Sequence, residues 1–165
     1  RFSRRRPSDR AIQLKEKQKG RFMYGVLERQ FSKYFKKSQK ANGVTGELLL
    51  QWLERRLDNV VYRLSFAESR KQARQFVLHG HFTVNSRRVN IPSFSVKPGD
   101  IIKWHPNRAG LDFVKTAVTD LPKREVPSWL NLNTTSLEGE ILSLPEINDI
   151  DTKIDTRLIV EYYSK

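Results

Sequence analysis

The stretch from Leu53 to Asn90, LERRLDNVVYRLSFAESRKQARQFVLHGHFTVNSRRVN, decides how this chain folds. Ser69 with Gln72 three residues on has capping-box spacing, so a helix is expected over Arg70–His79. At 100° per residue Ala73, Phe76 and Val77 fall together and make its core face, while Lys71, Arg74, Gln75 and His79 point to the other side. From Phe82 the period changes from helical to alternating. Phe82–Val84 and then Arg88–Ile91 read as short strands joined through Asn85-Ser86.

The cations of that helix stand where a helix favours anions. Arg70 and Lys71 occupy its first turn, beside backbone N–H groups with no helical partner, at a cost of about a few tenths of a kcal/mol each. Arg74 follows one turn later. A lone lysine in such a place is ordinarily a solvated surface residue. Two adjacent cations and a third one turn on, in a strongly basic chain, point instead to phosphate seated against Ser69, Arg70, Lys71 and Arg74. Gln75, His79, His81, Asn85, Arg87 and Arg88 lie close by in sequence. Polar and planar groups beside a cationic surface suit a folded RNA, which is read through shape, phosphates and sugar hydroxyls.

Working backward, Thr45 opens an apolar pattern of Leu49, Leu50, Trp52, Leu53, Leu57, Val60, Val61 and Leu64. It predicts one helix from Gly46 to Leu64 with little or no break. Arg55, Arg56 and Arg63 on it either extend the basic surface or pair with Glu54 and Asp58; Arg56 is taken as an RNA contact. A helix over Val26–Ala41 has Val26, Leu27, Phe31, Tyr34 and Phe35 as its core face. Ser8 caps a further helix from Asp9. Ahead of it, RFSRRRP is a basic arm, whose Arg4, Arg5 and Arg6 can thread between RNA helices and order there. Lys17, Lys19, Arg21, Tyr24 and Arg29 complete the expected RNA contacts. Working forward, strands are expected over Asp100–Trp104, Ser128–Asn133 and Glu138–Leu144, with a polar helix over Leu111–Leu121. The final Arg157–Tyr163 segment is too apolar to dangle and is expected to pack back on the body.

Composition bounds the rest. The 165 residues carry 31 Lys+Arg against 18 Asp+Glu, a net charge of +13. That balance predicts a polyanionic partner. The charge is uneven: residues 1–40 are net +11, residues 41–120 net +5 and residues 121–165 net −3. The C-terminal part is therefore a poor candidate for phosphate contact. No run approaches the roughly 18 apolar residues that span a bilayer, so no membrane partner is expected. There is no Cys, which excludes disulfides and Cys-based zinc sites and makes the cytosol the default compartment. A chain that starts at Arg1 rather than Met is expected to have lost an upstream segment.

Signals for catalysis are weak. His79-Gly80-His81 is two histidines without a third ligand, better suited to RNA contact than to a metal. Asp58 has no suitably placed second acid. No Ser-His-Asp set, phosphate loop or dinucleotide motif is present. Neither an enzyme, nor a metal, cofactor or small-molecule substrate is expected.

The segment LERRLDNVVYRLSFAESRKQARQFVLHGHFTVN resembles the small RNA-binding module named after ribosomal small-subunit protein S-four. Together with EKQKGRFMYGVLERQF, ANGVTGELLL and the terminal LIVEYYSK, nearly the whole chain from about Lys15 to Lys165 is similar to the bacterial and organellar S-four family. The resemblance implies an α+β fold: a helical N-terminal domain plus a module of helices packed on a small antiparallel sheet. The helical domain would cover residues 1–50, with 152–165 packed back on it. A second domain, 51–151, would contain the module at about 55–117. It also implies a structural constituent of the small ribosomal subunit that binds ribosomal RNA at a helix junction in the 5′ domain. Such a protein would nucleate assembly of the subunit body and, with neighbouring small-subunit proteins, contribute to translational accuracy. The alternative is an RNA-modifying or other RNA-binding protein using the same module. The expected location is the ribosome of the cytoplasm, or of an organellar stroma or matrix. Two departures stand out. The upstream segment that carries zinc-binding cysteines in some relatives is not seen, so no metal carries over. The hairpin turn, commonly Asn-Gly, is Asn85-Ser86. Serine at a position with φ > 0 costs roughly 1 kcal/mol, which points to a different turn type.

Overall fold

A computed structural model describes residues 7–119, 121–122, 124–150 and 153–164; Arg4, Arg5 and Arg6 lie outside them. The helices are α1 (Asp9–Met23), α2 (Glu28–Lys40), α3 (Thr45–Glu54), α4 (Leu57–Arg63), α5 (Arg70–Leu78), α6 (Pro106–Ala109), α7 (Asp112–Val118) and α8 (Thr156–Tyr163). The strands are β1 (Phe82–Val84), β2 (Arg87–Val89), β3 (Ile101–Trp104), β4 (Leu130–Asn133) and β5 (Glu138–Ile141). The α+β class expected from the sequence is what forms. Residues 1–50 with 151–165 make one compact unit and residues 51–150 another.

In the first unit α1, α2, the start of α3 and α8 enclose Tyr24, Val26, Phe31, Phe35, Leu49, Leu50 and Ile159. The Ser8 hydroxyl caps α1, accepting from Ala11 N at 3.3 Å. Leu27 departs from its expected place in the core and is 69% exposed. It stands just before α2 in extended conformation, φ −75° and ψ 155°, so the helical period that assigned it inward does not apply there.

The second unit is a five-stranded antiparallel sheet in the order β2-β1-β3-β5-β4. Phe82, Val84, Ile102, Trp104, Leu130 and Ile141 from the sheet share one core with Leu57, Val60, Val61 and Leu64 of α4 and Ala73 and Val77 of α5. Strand alternation produces this: in β3 Ile102 and Trp104 are buried, while Ile101 before them is 37% exposed.

The single helix expected over Gly46–Leu64 is broken at Arg55-Arg56. Arg56 is extended, φ −69° and ψ 136°, and forms an isolated antiparallel bridge with Ser95. The physical reason lies in the segment after β2. Leu57 N donates to Phe94 O at 2.9 Å, Asp58 N to Pro92 O at 3.2 Å, and Val96 N to Arg55 O at 3.0 Å. Those first amides of α4 are thus satisfied by a distant loop rather than by a preceding helical turn. The apolar period runs through the break unchanged, so periodicity alone could not reveal it.

The hairpin turn corrects the other expectation. Asn85 and Ser86 have φ +49° and +67°, and Val84 pairs with Arg87 across them. Positive φ at both central residues is the type I′ turn usual for Asn-Gly. The strain is offset by Asn85, whose Oδ1 accepts from Ile101 N at 3.0 Å and whose Nδ2 donates to Asp100 Oδ1 at 2.8 Å. Ser86→Gly is therefore expected to raise stability by about 1 kcal/mol. Urea unfolding measures it, and an unchanged midpoint would count against strain at Ser86.

Candidate nucleic-acid interface

Ser69 caps α5: its hydroxyl accepts from Gln72 N at 3.2 Å. The reciprocal arm of the box is displaced by one residue, because Gln72 Oε1 accepts from Glu68 N at 2.6 Å. Ser69, Lys71, Gln75 and His79 are exposed, and Arg70 and Arg74 are half-buried. Arg70 Nε donates to Asn59 Oδ1 at 2.8 Å, and its guanidinium lies 4.4 Å from the centre of the Tyr62 ring. A second guanidinium, Arg124, lies 4.2 Å from the same ring. Arg124 also donates to Tyr62 O, Ala67 O and Glu68 O, tying the loop before α5 to the end of α4. Sequence reasoning missed Arg124, because it lies in the net-acidic C-terminal part and in no periodic segment.

Beneath these cations lies a buried polar network drawn from LERRLDN. Glu54, fully buried, accepts from Arg63 through both oxygens at 2.7 and 3.1 Å. Asn59 Nδ2 donates to Glu54 Oε2 at 2.7 Å and to Glu54 O at 3.0 Å. Asp58 accepts from Arg56 through both oxygens at 3.0 and 2.7 Å, and Arg74 Nη1 stands 3.5 Å from Asp58 Oδ2. Arg56 is 1% exposed. It is thus an internal partner of Asp58 and not the surface RNA contact expected. It sits at the helix break, where its backbone is extended and bridges Ser95.

The hairpin splits the two arginines that the sequence places side by side. Arg87 pairs with Val84 and Arg88 with Thr83, so they belong to opposite faces of the sheet. Arg88 donates to His79 O at 3.1 Å. His81 is buried, with its ring 5.7 Å from Phe76 and 5.9 Å from His79. Burial holds the His81 imidazole below its ordinary pKa, and the neighbouring charges of Arg108, His79 and Arg88 push it the same way. Arg108 on α6 thereby joins this cationic cluster, a placement that only the β1–β3 pairing and the His105 N to His81 O bond of 2.7 Å create. Asn85, at the tip of the turn, is exposed but commits its amide to Asp100 and Ile101 at the start of β3.

In the first unit, two expected contacts are interior. Lys17 is 4% exposed, 2.8 Å from Glu28 Oε1, with its ammonium 4.6 Å from the Tyr162 ring centre. Tyr24 is 3% exposed, at the end of α1. The helical period counted Lys17 as surface because it could not anticipate α8 lying across α1. Burial pushes the Glu28 carboxyl up, but hydrogen bonds from Lys17 and Tyr163 outweigh it and hold the group below its ordinary value. The Tyr163 phenol, which donates to Glu28 at 2.9 Å, is raised by its burial and by that bond. Lys19 reaches Glu16 at 2.9 Å and also donates to Lys153 O. Arg21 lies over the exposed Phe22 ring at 4.5 Å, and Arg29 is exposed.

Among the described residues no three His, Asp or Glu side chains converge as a metal site would require, and no helix is long and apolar enough to cross a membrane. What the geometry offers is cations held on buried carboxylates and amides beside a capped helix start.

Two family models match in tandem: "Ribosomal protein S4/S9 N-terminal domain" over residues 2–54 and "S4 domain" over residues 55–102. The chain is 53% identical to small ribosomal subunit protein uS4 of Gloeobacter violaceus, over 99% of the chain and 78% of that protein. It is 51% identical to small ribosomal subunit protein uS4A of Symbiobacterium thermophilum, with the same coverage of 99% and 78%. With the relative from Chloroflexus aurantiacus the identity is 50%, over 98% of the chain and 80% of the relative. Identity at that level along nearly the whole length, on a helical unit followed by a capped basic helix and hairpin, places this chain in the uS4 family of small ribosomal subunit proteins.

Proposed function

We propose that this protein is a structural constituent of the small ribosomal subunit that binds ribosomal RNA directly. The observation that carries the reading is the start of α5, where Arg70, Lys71 and Arg74 surround a serine-capped helix end in a chain of net charge +13. Cations at that end repel the helix's own positive pole until a phosphate sits among them. The RNA is a helix junction of the 5′ domain, contacted early enough to nucleate assembly of the subunit body. Neighbouring small-subunit proteins pack beside it, and through them it contributes to translational accuracy. It works without catalysis, on the ribosome of the cytoplasm or of an organelle. The half-exposed and exposed members of the α5 and hairpin sets are its phosphate contacts, with Arg108 and Arg124 added; Lys19, Arg21 and Arg29 serve in the helical unit.

The test is competition binding. A transcript of the 5′-domain junction should hold the protein against an equal concentration of duplex DNA, and displacement by the DNA would sink the reading. The double change Arg70→Ala, Arg74→Ala should weaken binding and flatten the dependence of log K on log salt by up to about two phosphate equivalents. An unchanged slope would remove both residues from the interface.

A further inference from the structure

We infer that Asn59 is a positioning residue for RNA binding, a buried amide that sets Arg70 in its binding orientation without touching RNA. The inference rests on α5 being an RNA-binding face. Asn59 is 2% exposed. Both of its Nδ2 bonds run to Glu54, 2.7 Å to the carboxylate and 3.0 Å to the backbone carbonyl. A carboxylate accepts only, so the amide can have just one orientation, with Oδ1 turned away from Glu54. That oxygen accepts from Arg70 Nε at 2.8 Å. Glu54 in turn is fixed by the two-pronged bond from Arg63. The order Glu54–Asn59–Arg70, braced by Arg63, therefore runs from a fully buried carboxylate out to a half-exposed guanidinium.

The chemistry of arginine makes this effective. A long side chain loses rotamer freedom when it binds, and one already held in place loses less. The bond to Asn59 engages Nε, and the Tyr62 ring 4.4 Å away limits rotation of the guanidinium plane. Arg74 has a parallel support in Asp58, which also accepts from Asn59 N at 2.9 Å. One turn of α4 thus supports both half-buried cations of α5.

The experiment compares Asn59→Leu, Arg70→Ala and the double variant in the full chain, using the 5′-domain junction transcript and a salt series. Folding is checked by circular dichroism. Asn59→Leu should weaken RNA binding about tenfold, the scale of one bond to a charged group, and flatten the salt slope by about one phosphate equivalent. In the Arg70→Ala background it should add nothing, because it acts through Arg70. Additive losses, or wild-type binding by Asn59→Leu while Arg70→Ala weakens it, would overturn the positioning role. No effect of Arg70→Ala would instead sink the RNA-binding reading of α5. Should Asn59→Leu fail to fold, Arg70→Lys decides. It keeps the charge at a half-exposed position but lacks the Nε–H that Asn59 accepts. Loss of one phosphate equivalent with the charge retained supports positioning; a wild-type slope and affinity for Arg70→Lys overturns it.

Discussion

Asp58→Ala is expected to cost about 3–5 kcal/mol of stability in the second unit, because it removes the carboxylate from a buried ion pair. Arg56 is 1% exposed, and both Asp58 oxygens accept from it. Removing the carboxylate leaves the guanidinium in an interior where water cannot replace the lost partner. The same carboxylate accepts from Asn59 N at 2.9 Å and stands 3.5 Å from Arg74, so the start of α4 and the support of an α5 cation go with it. Urea unfolding followed by tryptophan fluorescence reads the loss, since Trp104 and Trp129 lie in this unit's core. A loss below about 1 kcal/mol, the scale of an exposed pair, would show that the pair is not held as buried. Replacing both partners, Arg56→Met with Asp58→Leu, should recover part of the loss, since no buried guanidinium then lacks its carboxylate.

The other large effect is expected from deleting residues 156–165. The deletion removes α8 and with it Ile159, which is fully buried, and Tyr163, whose ring stacks on Phe35 at 4.3 Å. A buried isoleucine alone is worth about 2–5 kcal/mol against alanine. Polar bonds go too: Arg10 donates to Tyr162 O at 2.7 Å and Gln13 to Glu161 at 2.9 Å. Lys17 would lose the Tyr162 ring above it and Glu28 the Tyr163 hydroxyl. Together these exceed what a small helical unit can spare. Amide exchange should therefore lose protection throughout α1 and α2 while α4, α5 and the sheet keep theirs. Protection of α1 and α2 surviving the deletion would mean that α8 is dispensable to them.

Much of the local structure was legible in the residues. Ser69 and Ser8 announced helix starts because a hydroxyl acceptor before a helical period satisfies amides that have no other partner. The change of period at Phe82 marked the passage from helix to hairpin. The strands were placed to within a few residues, β5 ending at Ile141 rather than Leu144 and β2 at Val89 rather than Ile91. Leu27, Lys17 and Arg56 depart from their expected places for a common reason. A period says which way a side chain points on an ideal helix, but not whether the helix is interrupted or what lies across that side. Arg63 pairs with Glu54 at 2.7 Å rather than extending the basic surface.

By itself the sequence determined most of the elements, the basic character and the family, because caps, periods, charges and motif spacings are local and survive in one dimension. Only the tertiary structure decided which cations are surface and which are scaffold. Arg55, Arg56 and Arg63 read alike along the chain, yet Arg56 is closed over Asp58, Arg63 is clamped to Glu54, and Arg55 donates to Val96 O at 3.0 Å. Arg70 and Arg74, by contrast, keep their charges half-exposed above Asn59 and Asp58. For Arg55 and Arg56 the difference comes from the loop at Pro92–Val96, which takes over the amides at the start of α4 and breaks the helix. No residue near Arg56 carries that information, because the partners lie some forty positions away.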